Sequence, residues 1–170
     1  MPPTPRPART LTFDLKAFEI KTADKMLAVV RKSAEEVLEA ASTPQPSSRD
    51  TGTFEIGKVP VRTGTLRNSL AVDLNNGAAA QGVDNGAYLL KIAEMELGDV
   101  LNATWTAEYA AAMEYGYTRE YESGQDTTGG IGLGAKKKVT VPGRLFVTTA
   151  VERWQEFVRA NALKVKALDQ

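Results

Sequence analysis

The sequence predicts an α+β fold: a small antiparallel sheet with two long helices packed on one face, a long hairpin loop and an extended N-terminal arm. Three observations carry this. Apolar residues recur at helical spacing in two separate stretches, Met26 to Ala41 and Val147 to Val158. Between them, Leu70, Val72 and Leu74 alternate with Ala71 and Asp73 as on a half-buried strand. The chain has 170 residues, 42% apolar and 25% charged, which suits one domain with a real core.

Taken in order, residues 1 to 10 hold four of the eight prolines and read as an extended arm, since proline fixes φ and removes a backbone donor. Such an arm is suited to docking on a neighbouring subunit. Leu11, Phe13 and Leu15 alternate, predicting a first strand over 11–20, so that the arm and strand occupy 1–21 and a single α+β domain occupies 22–170. A helix then begins at a Thr22 or Asp24 cap. Met26, Val30, Ala34, Val37 and Ala41 form its apolar face, with Leu27 and Leu38 beside them. It stops before Pro44 and Pro46, in a Ser/Thr/Pro-rich loop.

Residues 59 to 68 read as a corner. Pro60 presets a turn, Gly64 permits unusual backbone angles, and Thr63 and Thr65 bond nearby backbone. The strand 69–74 follows, then the turn-rich "NNGAAAQGVDNG". Helix formers over 87–97 with Gly98 behind them predict a helix with a glycine stop; 99–105 reads as the next strand. The alanines of 107–117 predict a short helix ended by Gly116. A long loop or hairpin spans 117–141. The last helix begins near Arg144, with Val147, Ala150, Val151, Trp154, Phe157 and Val158 on its apolar face. Trp154 and Phe157 are its large anchors, each contributing about 2 kcal/mol by burial.

The composition narrows the chemistry. Lys plus Arg and Asp plus Glu are both 21, so the formal charge is zero, unlike the basic excess of a dedicated nucleic-acid binder. There is no cysteine and no histidine. That removes disulfides, thiolate and imidazole zinc sites, and the Ser-His-Asp and Cys-His nucleophile systems. No metal, cofactor or catalytic set is expected. No apolar run reaches the ~18 residues that cross a bilayer, and "MPPTPRPARTLTF" lacks the apolar core of a signal peptide, so folding in a cytoplasm is expected.

Two further stretches invite a functional reading. In "TTGGIGLGAKKK", 127–138, Gly130, Gly132 and Gly134 have the wrong spacing for a dinucleotide loop. No Gly-Lys-Ser/Thr follows, as a P-loop requires. What remains is a glycine tip with a run of cations, Lys136, Lys137 and Lys138, able to meet a phosphate backbone. Glu94, Glu96, Asp99, Glu108 and Glu114 are candidate carboxylates for a hydrolase, but no spacing selects two of them. Tyr115, Tyr117 and Tyr121 cluster with charged residues, and Arg62 and Arg67 flank the 59–68 corner. Tyrosine and arginine are interface residues, which makes these five candidates for inter-subunit contacts.

Three stretches in order resemble a family. "VPVRTGTLRNSLAV" is similar to the P-V-D-T-G-x-L-R-x-S signature of a neck or tail-completion family of tailed bacteriophages. "AEYAAAMEYGYT" resembles its Y-A-x-x-x-E-Y-G segment, and "VPGRLFVTTAVERWQEFV" its closing turn and last helix. Arg62 stands where the family has Asp, the loop at 117–141 is longer, and the proline arm is outside the pattern. The resemblance implies a structural, non-enzymatic virion protein of the neck or tail, assembled in the host cytoplasm. It implies a ring of about six copies, by the sixfold symmetry usual at this end of the tail, with heterologous contacts of the kind that close into rings. Its partners would be the portal-side head-completion ring and the tail terminator or tail-tube proteins, with Lys136, Lys137 and Lys138 facing DNA in the channel and no membrane involved. The alternatives are a tail terminator or minor capsid protein of the same virion, a nucleic-acid-binding module using the lysine loop, and a carboxylate hydrolase.

Overall fold

The computed structural model describes residues 8–46, 52–84, 86–122 and 136–168. The architecture is α+β. Helix α1 (Ala8–Ala41) leads into two short strands, β1 (Pro44–Pro46) and β2 (Val59–Val61). A single helical turn, α2 (Thr65–Asn68), enters β3 (Leu70–Leu74), and β4 (Ala80–Gln81) and α3 (Ala87–Glu94) follow. Next come β5 (Leu101–Trp105), α4 (Ala110–Tyr115), and the two strands β6 (Gly116–Glu122) and β7 (Lys136–Pro142). The chain closes with α5 (Phe146–Glu152) and α6 (Trp154–Ala167).

Among the described residues there are three small sheets. The central one is antiparallel in the order β4-β3-β5, with Leu70 opposite Trp105 and Leu74 opposite Leu101. β1 and β2 pair in parallel, and β6 and β7 form an antiparallel ribbon with Gly116 opposite Pro142. The alternation read at 70–74 puts Leu70 and Val72 in the core. There they meet Ala34 and Leu38 of α1 and Tyr88 and Ile92 of α3, with Trp154 of α6 closing the cluster. A second cluster gathers Val59, Leu66, Ala110 and Phe146, and Trp105 contacts both. Trp105 meets Phe146 edge to face at 5.4 Å, a favoured aromatic geometry.

Several expectations need correction. The stretch 11–20 is no strand: it lies inside α1, so the 21/22 boundary cuts through a continuous helix. Leu11, Leu15, Phe18 and Thr22 also fall at i, i+4, i+7 and i+11. That helical period continues the face of the helix behind it, whereas the alternation lasts only three apolar residues. Extending an existing helix costs no new nucleus. The proline arm at 1–7 lies outside the described residues. In the 42–58 loop, Pro44 and Pro46 occupy a strand edge, the place where a missing N–H is tolerated. The turn-rich 75–86 segment contributes β4, and the last helix breaks at Arg153 into α5 and α6. The sheet is not one unit, because β1–β2 and β6–β7 stand apart from it. The arms of the 117–141 loop are paired, and its tip, 123–135, lies outside the described residues.

The tightest backbone approach is at the base of the ribbon. Gly116 has φ +83, and a Cβ there would lie 2.6 Å from the Val141 carbonyl oxygen and 2.7 Å from the Gly143 nitrogen. A Cβ on Gly143 would overlap the carbonyl of Glu114 and lie 2.6 Å from the Tyr115 carbonyl carbon. These neighbours are backbone, which cannot swing aside. Gly143→Ala is therefore expected to cost about 3 kcal/mol or more in urea unfolding, the upper range of overpacking. Gly52→Ala, where φ is +70 but no atom lies within 4 Å of the added Cβ, is expected to cost about 1 kcal/mol of backbone strain alone.

Candidate assembly site

The three stretches that carry the family resemblance are far apart in sequence and meet at one place. α4 brings Glu114, which is only 4% exposed, against the start of α5. The first amides of any helix have no partner inside it. Here the Glu114 carboxylate supplies one: it accepts from the Val147 N–H at 3.0 Å, the Thr148 N–H at 2.9 Å and the Thr148 hydroxyl at 2.7 Å. The negative charge also suits the positive end of the helix dipole. The backbone joins in, since the Arg144 and Leu145 amides donate to the Met113 and Glu114 carbonyls at 2.8 and 3.0 Å. Leu145 itself takes a left-handed conformation, φ 50, at the turn into α5.

Arg144, 5% exposed, fastens a further segment. Its guanidinium donates to the Gln45 side-chain oxygen and to the Glu55 carbonyl at 3.4 Å, and it lies 4.2 Å from the centre of the Phe54 ring. Burial lowers its affinity for the proton, and Glu55 partly opposes that. The corner at 59–68 closes against the same region through Val59 and Leu66. Arg67 donates to the Ser42 carbonyl at 3.1 Å, just past α1, and to the Asp84 carboxylate. Asn68 donates to the other Asp84 oxygen at 2.5 Å, and together Asn68 and Arg67 hold that carboxyl below its ordinary range.

The predicted contact residues therefore divide. Arg67 is committed within its own chain. Arg62 is exposed and lines a shallow cavity of 190 Å3 with Pro60, Thr65, Tyr109 and Met113. Tyr115 is exposed and Tyr117 half-buried; the Tyr121 side chain lies outside the described residues. Lys138 is exposed, and the side chains of Lys136 and Lys137 lie outside the described residues. Strand register sets Glu120 opposite Lys138 and Glu122 opposite Lys136.

The candidate carboxylates do not converge on a shared task. Glu114 caps α5, Glu94 pairs with Lys91 at 2.8 Å, and Asp99 accepts from the Asn75 amide and the Glu96 N–H, both at 2.7 Å. Glu96 and Glu108 are exposed. Among the described residues there is no group of three or more acidic side chains placed to hold a metal ion, and no helix is long and apolar enough to cross a membrane. The sequence singled out neither Phe146 nor Arg144, the fully buried anchor and the buried cation of this region. The spacing of Phe146 from Val147 and Ala150 was the available signal for the first. Comparison with known proteins finds no family model, no curated relative and no solved structure that matches the chain.

Removing the Glu114 carboxylate leaves two amides and a hydroxyl without their acceptor. Glu114→Ala is expected to destabilise the protein by about 3 kcal/mol, the sum of a lost cap and buried unpaired donors. Chemical denaturation followed by circular dichroism checks this. A loss under about 0.5 kcal/mol would show that the cap is dispensable.

Proposed function

We propose that the chain is a structural protein of a tailed-bacteriophage virion, a neck or tail-completion protein that assembles with copies of itself into a ring joining head to tail. The observation that carries this reading is the convergence at Glu114, Gly116 and Gly143. Segments 59–72, 107–118 and 141–158 follow the family's order, and their shared residues have one physical use, which is to lock these segments together. The glycines give close backbone approach, the glutamate caps a helix, and the leucine of the corner fills the core. That use is structural, as the family's role is. The β6–β7 ribbon, rooted at Gly116 and Pro142 and separate from the central sheet, is an element of the kind that heterologous ring contacts exploit. The exposed Arg62, Tyr109 and Tyr115 add interface-type side chains on the body.

Native mass spectrometry of the full chain tests this reading. A closed oligomer is expected, as heterologous contacts of one kind close into a ring, and about six copies is the number the family resemblance implies. Deleting the gene from the phage is expected to leave filled heads and finished tails unjoined in electron micrographs. A chain that stays monomeric at high concentration, with joined and infectious particles formed in its absence, would overturn the proposal.

A further inference from the structure

β5 is a free edge of the central sheet. The order is β4-β3-β5, and among the described residues no strand lies beyond β5. The Thr106 N–H donates to the Ser69 carbonyl at 3.0 Å, and the Asn75 N–H to the Val100 carbonyl at 2.9 Å. These bonds mark the even-numbered positions as the ones bonded to β3. By antiparallel alternation, Leu101, Ala103 and Trp105 turn their backbone N–H and C=O groups outward. None of these groups meets a partner among the described residues. Natural edges are guarded by charged side chains, proline or a bulge. Leu-Asn-Ala-Thr-Trp has no charge and no proline, and its register with β3 is unbroken.

The side chains of the same three residues line an apolar cleft of 410 Å3, inside the ~300–1,000 Å3 of small-ligand sites. Val37 of α1 and Val147 and Val151 of α5 help to complete its walls, and Asp99 is the one charged residue of the lining. Ala103 lies directly opposite Val72, which is fully buried, so the two share the core face of the sheet. Yet Ala103 is exposed, and Val151 is 54% exposed. The core face is therefore open beneath the β5 edge. A strand paired on that edge would send every second side chain into the opening. Unpaired backbone beside a cleft for alternate side chains is the combination that recognises an extended segment.

We propose that this edge and this cleft take up an added strand, and that the strand is residues 130–135 of this chain. Ile131, Leu133 and Ala135 alternate with Gly130, Gly132 and Gly134, a period of two with one apolar face. The apolar face matches the cleft. The glycines leave the other face bare, as suits a close approach of two backbones. Other stretches outside the described residues do not fit: 1–7 has four prolines, which lack the ladder donor, and 47–51 has no apolar residue. The proposal does not rest on the ring reading, since the segment is identified by its pattern and not by the copy that carries it.

The chain has no cysteine, and both its tryptophans, Trp105 and Trp154, line the cleft. Thr104→Cys puts a thiol on the exposed outer face of β5, and Gly132→Cys puts one on the outer face of the added strand. Cross-strand neighbours lie ~5–8 Å apart, within reach of a short bismaleimide. The full-length double variant, and the two full-length single variants mixed, are treated with it. A 104–132 product is expected. It is a dimer in the mixture when a neighbouring copy provides the strand, and a looped monomer in the double variant when the same chain does; either supports the proposal. Lys16→Cys, exposed on α1, is expected to give at least tenfold less product with Gly132→Cys. Ile131→Asp combined with Leu133→Asp is expected to cut the 104–132 product at least tenfold. The same pair is expected to move the tryptophan emission to longer wavelength, with circular dichroism unchanged. Absence of the 104–132 product overturns the proposal, and product from Thr104→Cys alone would assign the edge to a second β5 instead. Equal product from Lys16→Cys, or product and emission indifferent to the two aspartates, also overturns it. None of these results decides the ring, which the subunit count tests separately.

Discussion

The Glu114 carboxylate at the first turn of α5 is the fastening on which the rest of the structure depends. It reaches across 33 residues of chain to give the Val147 and Thr148 amides their acceptor. With it in place, the turn at Gly143 presses against the end of α4 closely enough that neither Gly116 nor Gly143 has room for a side chain. β6 leaves this point and β7 returns to it, so the direction of the ribbon is set by the same contact. Phe146, the first residue of α5, is thereby placed against Trp105 and the second hydrophobic cluster.

A second theme is the use of arginine. Arg31 donates through Nε to the Met95 carbonyl at 3.0 Å, beyond the end of α3; Arg67 donates to Ser42 after α1; Arg144 donates to Glu55. Each satisfies carbonyl groups in loops or at helix ends, where the backbone has no internal partner. The planar, permanently charged guanidinium suits such sites, and lysine would be a poor substitute. Polar groups spent in this way hold segments still.

Much of this was legible in the sequence. The period of Ala34, Leu38 and Ala41, the alternation of Leu70 and Val72, and the glycine stop at Gly116 each reflect local rules, and each is found where those rules put it. The start of α1 was misread because Leu11, Leu15 and Phe18 fit two periods, and only the continuity of the long helix decides between them. β1 was missed because its sequence, Pro-Gln-Pro, has no strand propensity; its pairing with β2 is made by tertiary contact. The role of Glu114 was invisible for a related reason. Its partners lie more than thirty positions away, and a glutamate on a short helix looks the same whether it faces solvent or a helix end.

The Glu114 clasp is where the end of α4, the base of the ribbon and the start of α5 are held together. Hydrogen exchange of the Val147 and Thr148 amides, measured in the wild type and in Glu114→Gln, tests that clasp most directly. If the carboxylate holds α5, both amides exchange only at the global unfolding rate in the wild type. In the variant they exchange at least a hundredfold faster, while the amides of β3 slow or quicken only with overall stability. Equal protection of the two amides in both proteins would contradict the central claim and leave the start of α5 fastened by something other than Glu114.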